Sequence, residues 1–287
     1  TILLTVWVVS RTMLPVKRLS QSLSVRQEND LSPLNDTDAP SEMTGFIAAI
    51  NRLLKRTDDN IRQQQRFIAD AAHEMRSPMT ALSLQVERLN QLPLADDAKL
   101  QARQIQTSIA RQRHLLEQLL SLARAQSPDA KRPLAAVNLQ QLFRRILEEL
   151  HPLAAAKGQD IGIAVERNCE IYANETEIHT LIKTLADNAI RYTPDSGQID
   201  LGFDDNDTHL TLWVEDNGPG IPPEERRRVL DPFYRILGSE QQGTGLGLSI
   251  ADTIAKRYGG KLILSDNRRT GHGLLAQVEL DKQTLQK

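Results

Sequence analysis

Phe67-Ile68-Ala69-Asp70-Ala71-Ala72-His73-Glu74-Met75-Arg76-Ser77-Pro78 is the stretch on which the fold turns. Its apolar residues belong to a longer phase. Met43, Ile47, Ile50, Leu54, Ile61, Ile68, Ala72, Met75, Met79, Leu82, Val86 and Leu89 follow steps of four and three, interrupted at the Thr57 and Gln64 positions. That spacing lays a single apolar seam along one helix face. It predicts one long helix over 43–91, or two helices in register. A second seam runs Ala98, Ala102, Ile105, Ile109, Gln112, Leu116, Leu119 and Ala123. Between the two lies Pro93, which stops the first helix, and Asp96 or Asp97, either of which can cap the second. The pair reads as an antiparallel helical hairpin. Two wide apolar faces cannot both be buried by one hairpin, and pairing with a second copy into a four-helix bundle solves that. The alternative is a monomeric hairpin packed against the rest of the chain.

Composition narrows the classes. Acidic and basic residues nearly balance, at 37 against 35 in 287. Neither a nucleic acid nor an anionic membrane surface is then expected as the main partner. Aromatics make up only 4%, a mix that favours long helices over a β-sandwich. Cys169 is the single cysteine. It excludes an internal disulfide, points to a reducing compartment, and leaves no basis for a zinc cluster. Thr1 to Ser10 carries no charge and is followed by Arg11, Lys17 and Arg18. Ten residues cannot span a bilayer, which takes about 20. The stretch is expected to be the end of a transmembrane helix whose positive flank marks the cytoplasmic side. A short apolar helix or strand is the alternative.

From about residue 138 the pattern changes. Helices are expected over 138–156, 175–192 and 247–258. Strand-like runs fall at Ile161–Val165, Ile171–Ala173, Gln198–Phe203, His209–Val214, Lys261–Leu264 and Gly273–Leu280. Strands and helices interleave without repeated βα units, which predicts an α+β two-layer sandwich with helices on one face of a mixed sheet. The fold class is therefore an all-α hairpin, dimerising into a four-helix bundle, followed by that sandwich.

Three segments of this second half carry candidate chemistry. Asp216-Asn217-Gly218-Pro219-Gly220-Ile221 follows an apolar strand. A carboxylate buried at a strand end is costly unless it meets a donor, and an adenine amine is such a donor. Gly218 and Gly220 let the backbone approach a ligand closely. Gly243-Thr244-Gly245-Leu246-Gly247-Leu248-Ser249 opens a helix, and amides freed by glycine at a helix N-terminus bind anions. It is neither a P-loop nor a dinucleotide fingerprint, because no Gly-Lys-Ser/Thr follows and no strand precedes it. Asn188 shares a helix with Asp187, Arg191 and Tyr192. Its amide oxygen suits Mg²⁺, Arg191 can neutralise phosphate, and Tyr192 can stack on a flat base. Upstream, neutral His73 is nucleophilic near pH 7, and the adjacent Glu74 can act as its base. The remaining histidines show no ligand spacing.

The order His73-Glu74, Asn188, Asp216-Gly218-Gly220, Phe233 within Asp231-Pro232-Phe233-Tyr234-Arg235, and Gly243-Gly245-Gly247 resembles the sensor histidine kinases of bacterial two-component systems. These segments look like that family's H, N, G1, F and G2 boxes. The resemblance implies a transmembrane end at 1–10 and a HAMP-like module at 11–62, with Pro15 and Leu19 in its first helix and Glu42 opening its second. It implies a dimerisation and histidine phosphotransfer domain at 63–127, a linker at 128–133, and a GHKL-type ATP-binding domain at 134–285. The cofactors it implies are ATP and Mg²⁺. His73 would take the phosphoryl group and Glu74 would orient it. Ser77 would position water for dephosphorylating a partner. Asn188 would hold Mg²⁺, Asp216 the adenine amine, and Tyr192 the base. Arg191 and Arg235 would face the phosphates. Gly243, Gly245, Leu246 and Gly247, with Phe233, would complete the nucleotide side, and 236–242 would be a lid. A homodimer, a response-regulator partner and a place in the bacterial inner membrane, with this chain on its cytoplasmic side, are implied likewise. Three departures from the pattern stand out: Thr184 where a second asparagine is usual, Ser77 where threonine or asparagine is, and Met75 and Met79 in place of commoner leucines, a conservative packing change. Two alternatives remain open, a non-kinase GHKL ATPase and a degenerate kinase that binds regulators without catalysis.

Overall fold

The computed structural model describes residues 32–34, 41–93, 95–126, 133–165, 167–236, 243–269 and 271–285. The expected membrane stub, the first HAMP-like helix with Pro15 and Leu19, linker residues 128–132 and lid residues 237–242 lie outside them. The chain forms two compact units, one through Phe67 and one from Ile68. Helix α1 (Ser41–Asn90) contributes to both.

In the first unit, Asn51 acts as a backbone mimic. Its Oδ1 accepts from the Leu34 amide at 2.7 Å, and its Nδ2 donates to the Leu34 carbonyl at 3.0 Å. Leu34 and Ile47 are buried.

In the second unit, α1 runs on through Pro78 without a break. Pro78 removes one amide donor, and the Thr80 hydroxyl donates to the Arg76 carbonyl at 2.9 Å beside that gap. A tight turn at 91–93 leads to α2 (Asp96–Gln126), whose first turn carries Asp96 and Asp97 against the positive helix end. Val86, Ala102 and Ile109 pack together with Met79. Other seam residues of this single chain stay exposed: Met75 at 54%, Leu82 at 46%, Leu89 at 40% and Ile105 at 48%. The far end of α2 behaves differently. Leu122 and Ala125 are buried in the core of the sandwich, with Leu115 and Leu119 packed beside them.

The sandwich consists of β1 (Ala135–Asn138), α3 (Leu139–Ala156), β2 (Asp160–Ile163), β3 (Glu170–Ala173), α4 (Glu175–Tyr192), β4 (Gln198–Asp205), β5 (His209–Asp216), a 3-10 turn (Arg228–Leu230), α5 (Gly247–Arg257), β6 (Lys261–Asp266), β7 (Leu274–Asp281) and the short α6 (Lys282–Leu285). The main sheet has the order β2-β4-β5-β7-β6, with β2 parallel to β4 and the other pairs antiparallel. β1 and β3 form a separate antiparallel pair. Leu210, Leu212 and Val214 of β5 and Ala276, Val278 and Leu280 of β7 lie in the core with the apolar faces of α3, α4 and α5. The period of two along each strand puts these residues on one face. Asn138 and Asn174 cap α3 and α4, each accepting a backbone amide at 3.0 Å. β1 was not anticipated from the sequence, and β2 starts and stops earlier than the apolar run Ile161–Val165.

Candidate active site

A cleft of about 400 Å³ opens between the C-terminal half of α4, the loop after β5 and the glycine loop that begins α5. Each wall follows from local sequence. β5 carries Asp216 to the cleft floor at 4% exposure. Its Oδ1 accepts from the Gly218 amide at 2.8 Å and the Leu274 amide at 3.3 Å. Burial pushes this carboxyl up to about 6, against the pull of the two amides. Asn267 Nδ2 holds the Asp216 carbonyl at 2.9 Å. The loops around Asp216 close tightly because they lack side chains. A Cβ on Gly273 would lie 2.0 Å from the Asp216 carbonyl oxygen, and one on Gly220, at φ +71°, would lie 2.8 Å from the Gly273 oxygen.

Helix α4 supplies Thr184, Asp187, Asn188, Arg191 and Tyr192 to the cleft. Thr184 and Asn188 are four apart and share one face. Arg191 Nη2 pairs with Asp187 Oδ2 at 3.0 Å. The carboxyl end of α4 is fixed from outside. Lys157 Nζ donates to the carbonyls of Ile190 at 2.8 Å and Arg191 at 3.0 Å, and Gln159 Nε2 donates to that of Thr193 at 2.7 Å. A cation at the negative helix end is stabilising, and here it holds Arg191 and Tyr192 in place.

The third wall is Gly243–Gly247. Gly245 has φ +71°, and a Cβ there would meet the Phe233 carbonyl carbon at 2.7 Å. Its own carbonyl accepts from the Phe233 amide at 2.9 Å. Phe233 therefore serves this loop through its backbone. Its side chain is 59% exposed and does not line the cleft, and its φ is +66°. Leu246 is fully buried beneath the loop, and Gly218 sits behind Asp216; neither lines the cleft. Arg235, Gly243, Gly245 and Gly247 do. Sequence reasoning missed the apolar wall of Ile221, Pro222 and Val229, as well as Tyr234, whose hydroxyl donates to Glu225 Oε2 at 2.6 Å. It also missed Gln118 of α2, which reaches the cleft from the hairpin. A polar residue one step from the seam residue Leu119 gave no signal of that.

His73, Glu74 and Ser77 are exposed on α1, next to buried Ala72, and do not line the cleft. Arg76 Nη1 lies 3.3 Å from His73 Nδ1. A guanidinium can only donate, so Nδ1 accepts and the neutral ring keeps its proton on Nε2.

A mixed sheet covered by helices on one face, with a buried carboxylate at a strand end facing a glycine loop at a helix N-terminus, is the architecture of a GHKL-type ATP-binding domain. Residues 173–284 match the family described as histidine kinase-, DNA gyrase B- and HSP90-like ATPase. Residues 63–128 match the His Kinase A (phospho-acceptor) domain, and 13–59 the sensor protein PhoQ-like HAMP domain. Sensor protein QseC of Escherichia coli K12 is 34% identical over 257 residues, covering 88% of this chain and 56% of QseC. Sensor protein kinase PmrB of Pseudomonas aeruginosa is 31% identical over 278 residues, covering 96% and 57%. Full-length ShkA in complex with AMPPNP superposes with a TM-score of 0.63 at 25% identity, over 75% of this chain and 45% of ShkA. The Acinetobacter baumannii histidine kinase AdeS shares the fold, with a TM-score of 0.52 at 21% identity, over 73% of this chain and 98% of AdeS. The chain belongs to the sensor histidine kinases of bacterial two-component systems. It spans a little over half the length of the curated relatives it matches.

Proposed function

We propose that this chain is the signalling half of a homodimeric sensor kinase of the bacterial inner membrane, which phosphorylates itself on His73 from Mg-ATP and passes the group to a response-regulator aspartate. The observation that carries the reading is Asp216: a carboxylate buried at the floor of a nucleotide-sized cleft, in a chain whose hairpin presents an exposed His-Glu pair. Asp216 would accept from the adenine amine and Tyr192 would flank the base. Arg191, Arg235 and the glycine-loop amides would neutralise the phosphates. Asn188 and Thr184 offer neutral oxygens of the kind Mg²⁺ takes alongside phosphate. The bound metal would draw charge from the transferring group, so the protein's task is positioning and electrostatics.

His73 does the chemistry. Displacing Arg76 from Nδ1 lets the ring proton move there and leaves an unshared pair on Nε2. Nε2 then forms the bond to phosphorus as the bond to the diphosphate oxygen breaks, and Glu74 takes the proton from Nδ1. A regulator aspartate subsequently accepts the phosphoryl group from Nε2. Ser77 offers the hydroxyl from which the hairpin would direct water at the resulting aspartyl phosphate. No described helix is long and apolar enough to cross a membrane; anchoring is assigned to the chain's N-terminal side.

Incubation with γ-labelled ATP tests the whole reading. An acid-labile, base-stable label on the wild type, absent from His73→Gln, is expected. ATP hydrolysis with no protein-bound label would favour a non-kinase ATPase. Loss of ATP binding at millimolar Mg²⁺ would favour a regulator-binding module without catalysis.

A further inference from the structure

Helix α2 does more than complete the hairpin. Its last three turns are docked on the sandwich, with Leu122 and Ala125 buried in the common core. One turn earlier, Gln118 is the α2 residue that lines the nucleotide cleft. Its Oε1 accepts a hydrogen bond from the Thr244 hydroxyl. Thr244 in turn accepts from the Leu246 amide at 3.3 Å.

These bonds matter because of which donors they occupy. Phosphate oxygens only accept, so a glycine loop binds them with whatever N–H and O–H groups it can turn outward. The Thr244 hydroxyl has one proton, and Gln118 has it. The Leu246 amide is directed at the same hydroxyl. Two donors of the loop are thus used internally while α2 is docked. The chain's own His73 lies outside the cleft in this arrangement, so the docked state is not one of transfer within the chain.

We propose that Gln118 is a positioning residue that latches α2 over the phosphate end of the cleft, so that α2 and a nucleotide's terminal phosphate compete for Thr244. The latch links occupancy of the cleft to release of the hairpin. Nucleotide binding frees α2, and a signal that pulls α2 away raises nucleotide affinity by the same factor. The inference rests on the nucleotide reading of the cleft given above.

The test is a calorimetric titration of the full chain with Mg-AMPPNP, together with amide hydrogen exchange. Gln118→Leu keeps the bulk and removes the acceptor. It should lower Kd by about 3- to 10-fold, the size of one net hydrogen bond. Gln118→Glu keeps an acceptor for Thr244 and adds a negative charge where phosphate arrives, so its Kd should rise. A purely structural role would weaken binding in both variants. In the unaltered chain, saturating Mg-AMPPNP should speed exchange at 115–125. An unchanged or raised Kd for Gln118→Leu, or slower exchange at 115–125 with nucleotide, overturns the latch while leaving the nucleotide site intact. A wild-type chain that binds no nucleotide overturns both.

Discussion

Asp216 carries a chemical demand that can be read from its own bonds. Both amides it meets, Gly218 and Leu274, are donated to Oδ1. In Asp216→Asn the amide oxygen must stay on that side, which turns the NH₂ toward the cleft. A donor would then face the adenine amine, also a donor, and nucleotide affinity should fall by about tenfold or more. Stability should move the other way. Burial raises the folded carboxyl to about 6 from 3.8. A raised carboxyl stabilises the fold in its neutral form: that contribution is full below about 3.8 and is lost as pH rises through about 6. At pH 8 the wild type therefore carries a buried charge that Asp216→Asn lacks, and the variant's Tm should match or exceed that of the wild type. On the proposed reading, nucleotide binding has the opposite pH dependence, because the ionised oxygen would be the acceptor. Affinity measured calorimetrically should decline as pH falls through about 6, and Asp216→Asn should flatten that slope. A variant with wild-type affinity would remove Asp216 from the base-binding role.

Helices α4 and α5 are joined end to end by a buried charge that no sequence pattern announced. Glu177, in the first turn of α4, is 6% exposed. Its Oε1 accepts from Arg257 Nη1 at 2.8 Å and its Oε2 from the Tyr258 hydroxyl at 2.8 Å, both at the far end of α5. The same phenol accepts from the Asn174 amide that precedes α4, at 3.1 Å. Glu177→Ala removes the carboxylate that the Arg257 guanidinium and the Tyr258 hydroxyl share, and should cost about 3 kcal/mol in urea unfolding. Tyr258→Phe removes two hydrogen bonds, one of them to the carboxylate, and should cost less, about 2 kcal/mol. Equal costs would mean that the ion pair contributes nothing beyond the phenol. The helices themselves were legible, since their apolar period and the Asn138 and Asn174 caps are local signals. The two glycine loops and Asp216 were legible for the same reason, as each is a contiguous string of residues. What escaped depends on residues far apart in the chain. β1 is four residues of ordinary propensity, made a strand by its pairing with β3. The parallel match of β2 to β4, the burial of Glu177 and the reach of Gln118 into the cleft all arise from packing that periodicity does not encode. Phe233 is the converse case. Its position in the string was recognised, but its side chain points to solvent and its backbone does the packing.

The hairpin's two apolar regions meet different fates, and the difference favours one of the two arrangements open to it. At its C-terminal end, α2 is covered by the sandwich of the same chain. Elsewhere the hairpin buries only part of its seam, around Val86, Ala102 and Ile109, and Met75, Leu82, Leu89 and Ile105 are all 40% or more exposed. Intramolecular docking therefore satisfies one end of α2 only, and the seam beside His73 needs another cover. A second hairpin with the same exposed row fits, because a two-fold axis brings identical apolar strips together. Leu82 is not among the residues that line the cleft, so a charge placed there tests assembly rather than nucleotide contact. Leu82→Glu should sediment as a monomer under conditions where the wild type sediments as a dimer. Its Kd for Mg-AMPPNP should stay within about twofold of wild type, since the cleft residues come from one chain. Label on His73 should fall sharply, because a monomer offers no bundle against which the sandwich can be repositioned once Gln118 lets go. If Leu82→Glu remains dimeric, the seam is not the interface. If it turns monomeric yet labels His73 at the wild-type rate, phosphoryl transfer needs only the hairpin and cleft of a single chain.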